Sequence, residues 1–496
     1  MVFARITARD ADELEVMITK SLNYERTPPT DPDFYNHPIT ALGWQTERWF
    51  QICSETVGGY FKNVHGKDPV RINAIYSGSP GSQWSTATNT QEVVDYFGPN
   101  GLGYIPASPS DLGGWSGGTE QMVTDAINAG SFLLQHRDHG LETGWGEPYY
   151  RNSSINGLTN TDLTFVMSIN CLTGKYNWSG ESFTEKFHRY TNDGNNSGAL
   201  GLIAASEVSY SFVNDTYVWG MYDNMWPDFM PDYGTTPEER GLLPSFGNAA
   251  GKYFLQQSNW PYNTNNKEVT YHLFHHHGDA FLELYSEVPQ NLELVYDDVI
   301  LGGLDFFTIE ATEGAFIALT VGNNIIGTGT GQGIGNPVDI SIVPQQVGTN
   351  VRMTITKTNY YRHSSNLTVV SPDAPFCLYN THDINDVNGN NNGLVDYGEN
   401  ILLEIGIENL GNVDCPDAIV RIQTSDQYVT LIDSEENYGS IPAHEIISIA
   451  DAFEFDVDAN VPDLHSITFE VIVEDENTDE IWNSQFSVVA RTPDLV

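Results

Sequence analysis

A histidine and a cysteine each follow an apolar stretch, in the position of a residue presented at the end of a strand. His139 comes after the apolar run 132–134, and Cys171 comes after the apolar run 163–167. Loops at the carboxyl ends of strands form the crevice of an open α/β sheet, where reactive side chains are commonly placed. A neighbouring imidazole favours the thiolate form of a cysteine and later protonates a leaving amine. The two segments therefore predict a cysteine nucleophile with a histidine as its base.

The elements around these residues alternate in type. Apolar residues recur at helical spacing over 10–24, 46–61 and 121–129. Short apolar runs of strand length lie at 71–76, 132–134, 165–169 and 200–205. Strands alternating with helices are typical of βαβ units, so residues 1–287 are predicted to form an α/β domain with a mainly parallel sheet flanked by helices. Residues 77–120 are rich in Gly, Ser and Pro and are predicted to form surface loops.

The helical period ends near residue 288. Short alternating strands separated by Gly-Asn turn signals occupy residues 288–373. A second β-rich region covers residues 374–496 and carries further apolar strands. Short strands with frequent turn signals predict β-sandwiches, so the chain is expected to consist of one α/β domain followed by two all-β domains.

The composition limits the partners of the protein. The chain has 66 acidic and 21 basic residues, a formal net charge of −45. Nucleic acids and anionic membranes are bound by basic surfaces, so neither is expected as a partner. No apolar run is long enough to span a membrane. The charge favours an extracellular, salt-rich or calcium-rich setting in which cations screen self-repulsion, and its alternative explanation is solubility alone.

The four cysteines do not form a disulfide framework. Cys377 and Cys415 are candidates for one disulfide in the C-terminal region, whereas Cys53 and Cys171 are predicted to be unpaired. The first residues have no signal-peptide layout and are predicted to form a strand inside a domain.

One segment of the C-terminal region follows the spacing of a calcium loop. Oxygen-bearing side chains fall at positions 1, 3, 5, 9 and 12, with Gly393 at position 6. These candidate ligands are Asn388, Asn390, Asn392, Asp396 and Glu399. Position 1 is Asn instead of Asp, which lowers the charge of the site, and Asp386 just upstream is a candidate to compensate. The pattern predicts a structural calcium ion and no organic cofactor, and its alternative is an Asn/Gly-rich turn without metal.

A second cluster contains four histidines, His272, His275, His276 and His277. It lacks the His-Glu-x-x-His spacing of zinc peptidases, and Asp279 is the only carboxylate nearby that is an obvious ligand. The sequence therefore does not favour a zinc site here.

The segments around His139 and Cys171 resemble those of the gingipain family of cysteine peptidases, which belongs to the caspase-like clan. Residues 139–146 read HGLETGWG, similar to the family's His-Gly strand end followed by Ser-Glu-Thr-x-Trp-Gly, and residues 170–174 read NCLTG, similar to its Ala-Cys-x-x-Gly. Weaker similarity extends from residue 2 to about residue 370 and includes the strand at 201–206. The resemblance implies a caspase-like α/β fold, with an immunoglobulin-like domain at 288–371. A further immunoglobulin-like sandwich is expected to follow it.

The resemblance also implies roles for individual residues. His139 and Cys171 would be catalytic, and the backbone N–H groups of Gly140 and Cys171 would form the oxyanion hole. Glu142 is a candidate to orient His139, and equally a candidate to hold the loop. The implied activity is that of a secreted endopeptidase that cleaves proteins or peptides through a cysteine thioester.

The specificity pocket is not fixed by the resemblance. Glu47 would favour a basic substrate residue and Arg48 an acidic one, and both alternatives stay open. The aromatic residue that caps the pocket would be Tyr210 or Phe212.

The family carries an N-terminal subdomain before the strand at residues 2–5, so this chain is expected to lack it. Two other functions remain open: a transpeptidase with the same chemistry, and a catalytically silent surface adhesin. The sequence predicts neither the natural substrate nor the oligomeric state.

Overall fold

The computed structural model describes residues 2–115, 117–235, 241–260, 264–301, 304–343, 345–346, 348–370 and 374–491. The chain divides into two compact units. The first unit comprises Met1–Gln290 with Thr358–Tyr361, and the second comprises Asn291–Lys357 with Arg362–Val496.

The strands of the first unit are short and mostly buried. They are β1 (Ile39–Trp44), β2 (Val70–Ile75), β3 (Leu133–Arg137), β4 (Gly140–Leu141), β5 (Gly144–Trp145), β6 (Thr164–Ile169), β7 (Thr191–Asn192), β8 (Asn195–Asn196), β9 (Ala199–Ala205) and β10 (Phe274–His277). Six of them form one sheet in the order β10-β9-β6-β3-β1-β2. All neighbours in this sheet are parallel except β10, which runs antiparallel to β9.

Helices connect these strands. They are α1 (Ala11–Arg26), α2 (Pro32–Asn36), α3 (Phe50–Asn63), α4 (Thr90–Phe97), α5 (Pro109–Leu112), α6 (Glu120–Ala129), α7 (Asn152–Ile155), α8 (Phe183–Arg189), α9 (Val213–Met225), α10 (Pro244–Gln257) and α11 (Lys267–Leu273), with a 3₁₀ turn at Thr264–Asn266. Every residue of β1, β3, β6 and β9 is buried. Near-continuous apolar strands of this kind are typical of a parallel sheet covered on both faces.

The predicted α/β organisation of the first unit is confirmed, with three local differences. The second predicted helix begins at Phe50 instead of residue 46 because residues 45–48 form a turn, in which the Arg48 N–H donates to the Gln45 carbonyl. The predicted strand at residues 2–5 contributes only one bridge pair, between Arg5 and His277. The predicted surface loops at 77–120 contain α4 and α5.

The second unit is built of strands. They are β11 (Leu294–Tyr296), β12 (Val299–Leu301), β13 (Phe306–Ala311), β14 (Phe316–Val321), β15 (Asn324–Thr330), β16 (Val338–Ser341), β17 (Asn350–Thr356), β18 (His363–Val370), β19 (Cys377–Asn385), β20 (Val395–Asp396), β21 (Asn400–Asn409), β22 (Cys415–Gln423), β23 (Val429–Asp433), β24 (Glu435–Ile441), β25 (Ile446–Val457), β26 (His465–Asp475) and β27 (Glu480–Arg491).

These strands form four sheets with two separate cores. The sheets β11-β13-β16 and β12-β18-β17-β14-β15 share one apolar cluster, and the sheets β19-β21-β25-β23 and β20-β27-β26-β22-β24 share another. Alternate residues along each core strand are buried, as in Ile401, Leu403 and Ile405. This period of two is expected when one face of a sheet packs on a core. The second unit is therefore all β, as predicted.

The candidate disulfide is not formed in this structure. Cys377 and Cys415 are both buried with free thiols, and the two thiols are in hydrogen-bond contact. Across the part of the chain that the structure describes, no helix combines the length and apolarity needed to cross a membrane.

Candidate active site

The register of the central sheet brings His139 and Cys171 to the same edge. Strands β3 and β6 are parallel neighbours, and Arg137 at the end of β3 pairs with Ile169 at the end of β6. His139 and Cys171 each follow two residues later, so they leave adjacent strands side by side at the carboxyl edge of the sheet. The two predicted catalytic residues are therefore neighbours in the fold.

His139 is held in one orientation by contacts around its ring. Its Nε2 atom lies 3.0 Å from the Oε1 atom of Gln45, and its ring meets the rings of Phe50 and Tyr76 edge-on, with centroids 5.2 Å and 5.9 Å away. Because Oε1 can only accept a hydrogen bond, Nε2 carries the proton and Nδ1 is left with a lone pair. An imidazole in this tautomer can accept a proton from a thiol through Nδ1.

The surroundings of His139 favour its neutral form. Partial burial lowers the pKa of His139, and the charges of Arg137 and Arg48 lower it further, while Glu47 acts in the opposite direction. A neutral imidazole is the form that works as a general base.

Cys171 is half-buried and held by Ser209. The Ser209 N–H donates to the Cys171 Sγ at 3.4 Å, the Ser209 hydroxyl lies 3.7 Å from Sγ, and the thiol donates to the Ser209 carbonyl at 3.5 Å. Among the described residues, Ser209 supplies every hydrogen-bond partner of this sulfur. The backbone N–H and carbonyl of Ser209 therefore fix the position of the sulfur.

Gly140 passes close to the cysteine strand. A Cβ atom at position 140 would lie 2.5 Å from the Cys171 carbonyl oxygen and 2.6 Å from the Asn170 Oδ1. Only glycine fits such an approach. The backbone of the His-Gly segment is therefore packed directly against the residue that carries the thiol.

Asp138 is a buried acid next to the histidine. Its Oδ2 atom accepts hydrogen bonds from the Glu147 N–H at 2.7 Å and the Tyr76 hydroxyl at 3.2 Å. Its Oδ1 atom is buried without a hydrogen-bond partner among the described residues. Burial raises the pKa of Asp138 to about 7. The carboxyl group thus links the loop before His139 to the end of β2.

An ion pair lies buried beneath the site. The Arg137 guanidinium donates to both carboxylate oxygens of Asp215, at 2.7 Å from Nε and 3.1 Å from Nη2. Both side chains are inaccessible, at 2% and 0% exposure. Arg137 also stacks on Phe50 at 4.2 Å, and Asp215 accepts the Phe212 N–H at 2.8 Å. The pair therefore joins the strand that leads to His139 with the start of α9.

The remaining predicted site residues are placed as follows. Glu142 lies in the turn between β4 and β5, where its carbonyl accepts the Phe183 N–H. Glu47 is exposed and Arg48 half-buried in the turn before α3. Phe212 precedes α9 and meets Trp49 edge-on at 4.8 Å. The Tyr210 carbonyl accepts the Asn214 N–H at 3.2 Å. The roles assigned to these five residues stay predictions.

The buried histidines of the cluster lie on both faces of the sheet. His276 and His277 are consecutive on β10, so their side chains leave opposite faces of the sheet. His276 Nδ1 bonds to the Ser245 hydroxyl. No group of three or more His, Cys, Asp or Glu residues is arranged to hold a metal ion anywhere in the described ranges.

The predicted calcium loop is closed by its own hydrogen bonds. Asp396 Oδ2 accepts from the side-chain amides of Asn390 and Asn392 at 2.7 Å and 2.8 Å, and Glu399 Oε1 accepts the Asn390 N–H at 2.8 Å. Asp386 is buried and accepts the backbone N–H groups of Asn392 and of the glycine that follows it. All three carboxylates therefore accept hydrogen bonds from residues 390–393.

Comparison with known proteins decides the family. The model of Peptidase family C25 matches residues 1–285, which include His139, Gly140 and Cys171. The chain belongs to peptidase family C25.

Curated relatives of this C25 chain are gingipains of Porphyromonas gingivalis. Gingipain R2 is 32% identical over 91 residues, which are 18% of this chain and 12% of that protein. Lys-gingipain is 23% identical over 389 residues, which are 72% of this chain and 19% of that protein. The chain spans less than a fifth of the length of the curated relatives it matches.

Solved structures share the C25 fold. The Arg-specific cysteine proteinase gingipain R superposes with a TM-score of 0.55 at 17% identity and covers 73% of each chain. The complex of the RgpB pro- and mature domains gives a TM-score of 0.57 at 16% identity, covering 74% of this chain and 77% of that one. The first unit of this C25 chain therefore has the α/β core that was predicted.

Two C25 site residues were missed by the sequence analysis. Gln45 follows β1, the strand next to β3, and Ser209 follows β9, the strand next to β6. Both are polar residues just past the carboxyl end of a buried strand, as His139 and Cys171 are. That shared position was a usable signal, but nothing in the local sequence identifies the atoms that they contact.

Proposed function

We propose that this chain is a cysteine endopeptidase of the gingipain type. The observation that carries the proposal is the parallel register of β3 and β6, which sets His139 beside Cys171 at the carboxyl edge of the sheet. Membership of family C25 and the shared fold support the same reaction class. The contacts of Gln45 with His139 and of Ser209 with Cys171 supply the orientation that a working pair requires.

The proposed reaction uses a thioester. His139 removes the thiol proton of Cys171, and the thiolate sulfur attacks the scissile carbonyl carbon. The resulting oxyanion is stabilised by the backbone N–H groups of Gly140 and Cys171. It collapses as the C–N bond breaks, and His139 gives its proton to the departing amine. Water, deprotonated by His139, then attacks the thioester, which releases the carboxylic acid and restores the thiol.

Arg48 is the better-supported of the two pocket candidates. Its Nε atom is buried without a hydrogen-bond partner among the described residues, whereas Glu47 is exposed. A buried guanidinium N–H without a partner is costly and is stabilised by a carboxylate. We therefore propose that the enzyme prefers an acidic substrate side chain. The edge-on contact of Phe212 with Trp49 supports Phe212 as part of the pocket wall.

The second unit is proposed to consist of two immunoglobulin-like sandwiches. The two pairs of sheets with separate cores support this assignment. The net charge of −45 supports an extracellular or cell-surface location, with protein or peptide substrates as the partners.

A structural calcium ion is proposed for the loop at 386–399. The type and spacing of its oxygen-bearing side chains support it, because calcium prefers carboxylate and carbonyl oxygens. In this structure Asp386, Asp396 and Glu399 instead accept hydrogen bonds from residues 390–393. The side-chain amides of Asn390 and Asn392 now donate to Asp396. To bind calcium, both amides would have to rotate so that their oxygens, instead of their N–H groups, face the ion. The ion would stabilise the second sandwich and take no part in peptide cleavage.

The test is cleavage of a mixed fluorogenic peptide library by the purified chain and by its Cys171→Ala variant. Activity that is lost in the variant supports the proposal, and no activity in either chain in reducing buffer with calcium contradicts it. The pocket assignment is supported if Arg48→Glu shifts the cleavage preference from acidic to basic substrate residues. The Glu47→Gln variant should keep the cleavage preference of the wild type. Products in which two peptides are joined, instead of hydrolysed peptides, would favour the transpeptidase alternative.

A further inference from the structure

The side chain of Asn170 connects the strand that carries the cysteine to the segment that follows the histidine. Asn170 is buried immediately before Cys171. Its Nδ2 atom donates to the Nδ1 atom of His136 on β3 and to the hydroxyl of Ser168 on β6, both at 2.9 Å. Its Oδ1 atom accepts the Thr173 hydroxyl at 2.6 Å. The amide therefore uses both of its protons and its oxygen inside the protein.

The hydrogen-bond partners extend this arrangement to the β4–β5 hairpin. Trp145 Nε1 donates to the Ser168 hydroxyl at 2.9 Å, and His136 stacks on the Trp145 ring with centroids 3.9 Å apart and planes 6° from parallel. His136 Nε2 bonds to the Glu147 carbonyl at 3.0 Å. Because that carbonyl can only accept, His136 Nδ1 must be the acceptor from Asn170. The Ser168 hydroxyl lies 3.0 Å from the Thr173 hydroxyl, whose proton is given to Asn170, so Ser168 donates to Thr173 and each of these protons has one assignment.

Asn170 also touches the backbone that would bind the oxyanion. Its Oδ1 atom would lie 2.6 Å from a Cβ atom at position 140, so it packs against Gly140. The Asn170 carbonyl, on the other side, accepts the Ser209 hydroxyl at 2.9 Å. Asn170 therefore contacts Gly140 and Ser209 directly, and it reaches Trp145 of the β4–β5 hairpin through Ser168 and His136.

We propose that Asn170 is a positioning residue that sets the Gly140 N–H relative to the Cys171 sulfur, so that the oxyanion hole is formed before substrate binds. The inference rests on the proposed peptidase function and specifies how its site is assembled. Asn170 does not touch substrate. It acts through the fully satisfied hydrogen-bond group of His136, Ser168 and Thr173, which fixes the distance between two strand ends.

The test compares three reactions that use the same thiol. Peptide hydrolysis and binding of a peptide aldehyde both create an oxyanion, whereas alkylation of Cys171 by iodoacetamide does not. For Asn170→Ala we expect kcat to fall by roughly 100-fold, the scale of one oxyanion-hole donor, and the aldehyde to bind more weakly by a similar factor. We expect KM and the alkylation rate to stay within about threefold of wild type.

Two variants keep the test decisive if Asn170→Ala is poorly folded. Asn170→Asp is isosteric, but its carboxylate cannot donate to neutral His136. Thr173→Val removes the proton given to Asn170 Oδ1. Both variants are expected to lower kcat by a larger factor than the rate of alkylation. Asn160→Ala is the matched control. Asn160 precedes the same strand at its opposite end and makes buried side-chain hydrogen bonds of its own, so its loss should lower stability and leave kcat unchanged.

The inference is overturned if alkylation falls as much as kcat, because Asn170 would then hold the thiol itself. It is also overturned if Asn170→Ala and Asn160→Ala behave alike. A wild-type chain that is alkylated at Cys171 yet neither cleaves peptides nor binds the aldehyde contradicts the proposed function instead.

Discussion

The Nε2 atom of His139 donates to the side-chain oxygen of Gln45 at 3.0 Å. The partner of the imidazole is a neutral amide, so it fixes the tautomer without adding a negative charge. Burial and the charges of Arg137 and Arg48 lower the pKa of His139, and Gln45 does not oppose them.

Replacement of Gln45 by Glu is expected to raise the pKa of His139, because a carboxylate stabilises the imidazolium. NMR titration of His139 in a Cys171→Ala background measures this without interference from the thiol. Gln45→Leu should instead lower kcat by releasing the ring, with little change in KM. An unchanged titration in the Glu variant would show that Gln45 does not contact the ring in solution.

The buried pair of Arg137 and Asp215 is expected to be strongly coupled. Removal of one partner leaves an unpaired buried charge, so Arg137→Met and Asp215→Leu should each cost about 3–5 kcal/mol of unfolding free energy. The double variant should cost clearly less than the sum, as measured by urea unfolding. The exposed pair of Arg421 and Glu435 is the control, since loss of Glu435 should cost less than about 1 kcal/mol. Additive single effects at 137 and 215 would exclude the coupling.

Buried histidines are expected to make the first unit acid-labile. Burial lowers the pKa values of His136, His276 and His277 to about 3 each. The unfolded chain takes up protons below pH 6.5 while the folded chain does not, so stability is full above pH 6.5 and is lost as the pH falls toward 3. Each of these histidines accounts for about 2 kcal/mol between pH 7 and pH 5.

The measurement is the unfolding free energy at both pH values. His277→Leu should reduce the difference between them by about 2 kcal/mol. Phe274→Leu, on the same strand, should lower stability equally at the two pH values. A pH dependence that His277→Leu leaves unchanged would contradict the assignment.

Calcium is expected to raise the melting temperature of the second unit. An ion bound only by the folded loop stabilises it by mass action, so EDTA should lower the transition measured by calorimetry. Glu399→Gln should abolish the difference between calcium and EDTA, whereas the exposed Glu480→Gln should preserve it. Equal melting temperatures of the wild type with calcium and with EDTA would leave the loop as an Asn/Gly-rich turn.

The sequence was sufficient for the central strands and for the adjacency of His139 and Cys171. Buried parallel strands such as β6 and β9 are continuous apolar runs, and after β3 and β6 a polar residue followed by Gly marks the end within a few residues. Such signals are local, so they can be read from the sequence without knowledge of the fold. The adjacency of His139 and Cys171 then followed from the rule that parallel strands end at one edge.

Other features depend on contacts that are distant in the chain. In α1 the apolar residues Leu14 and Ile18 are exposed, while Lys20 is buried because its Nζ donates to the carbonyls of His188, Ser197 and Ala199. The Gly- and Ser-rich stretch 77–120 was expected on the surface, yet it buries aromatic side chains at Trp84, Phe97 and Tyr104. Composition predicts loops, but it does not show which of their aromatic residues reach a core.

The most direct test of the catalytic assignment is the capture of the thioester. The chain is mixed with a peptide ester of the preferred sequence, quenched in acid and digested, and the acyl group is located by mass spectrometry. We predict an acyl adduct on Cys171 alone, absent in Cys171→Ala and formed at least about 100-fold more slowly in His139→Ala. An adduct on Cys53, or peptide cleavage that persists in Cys171→Ala, would contradict the account.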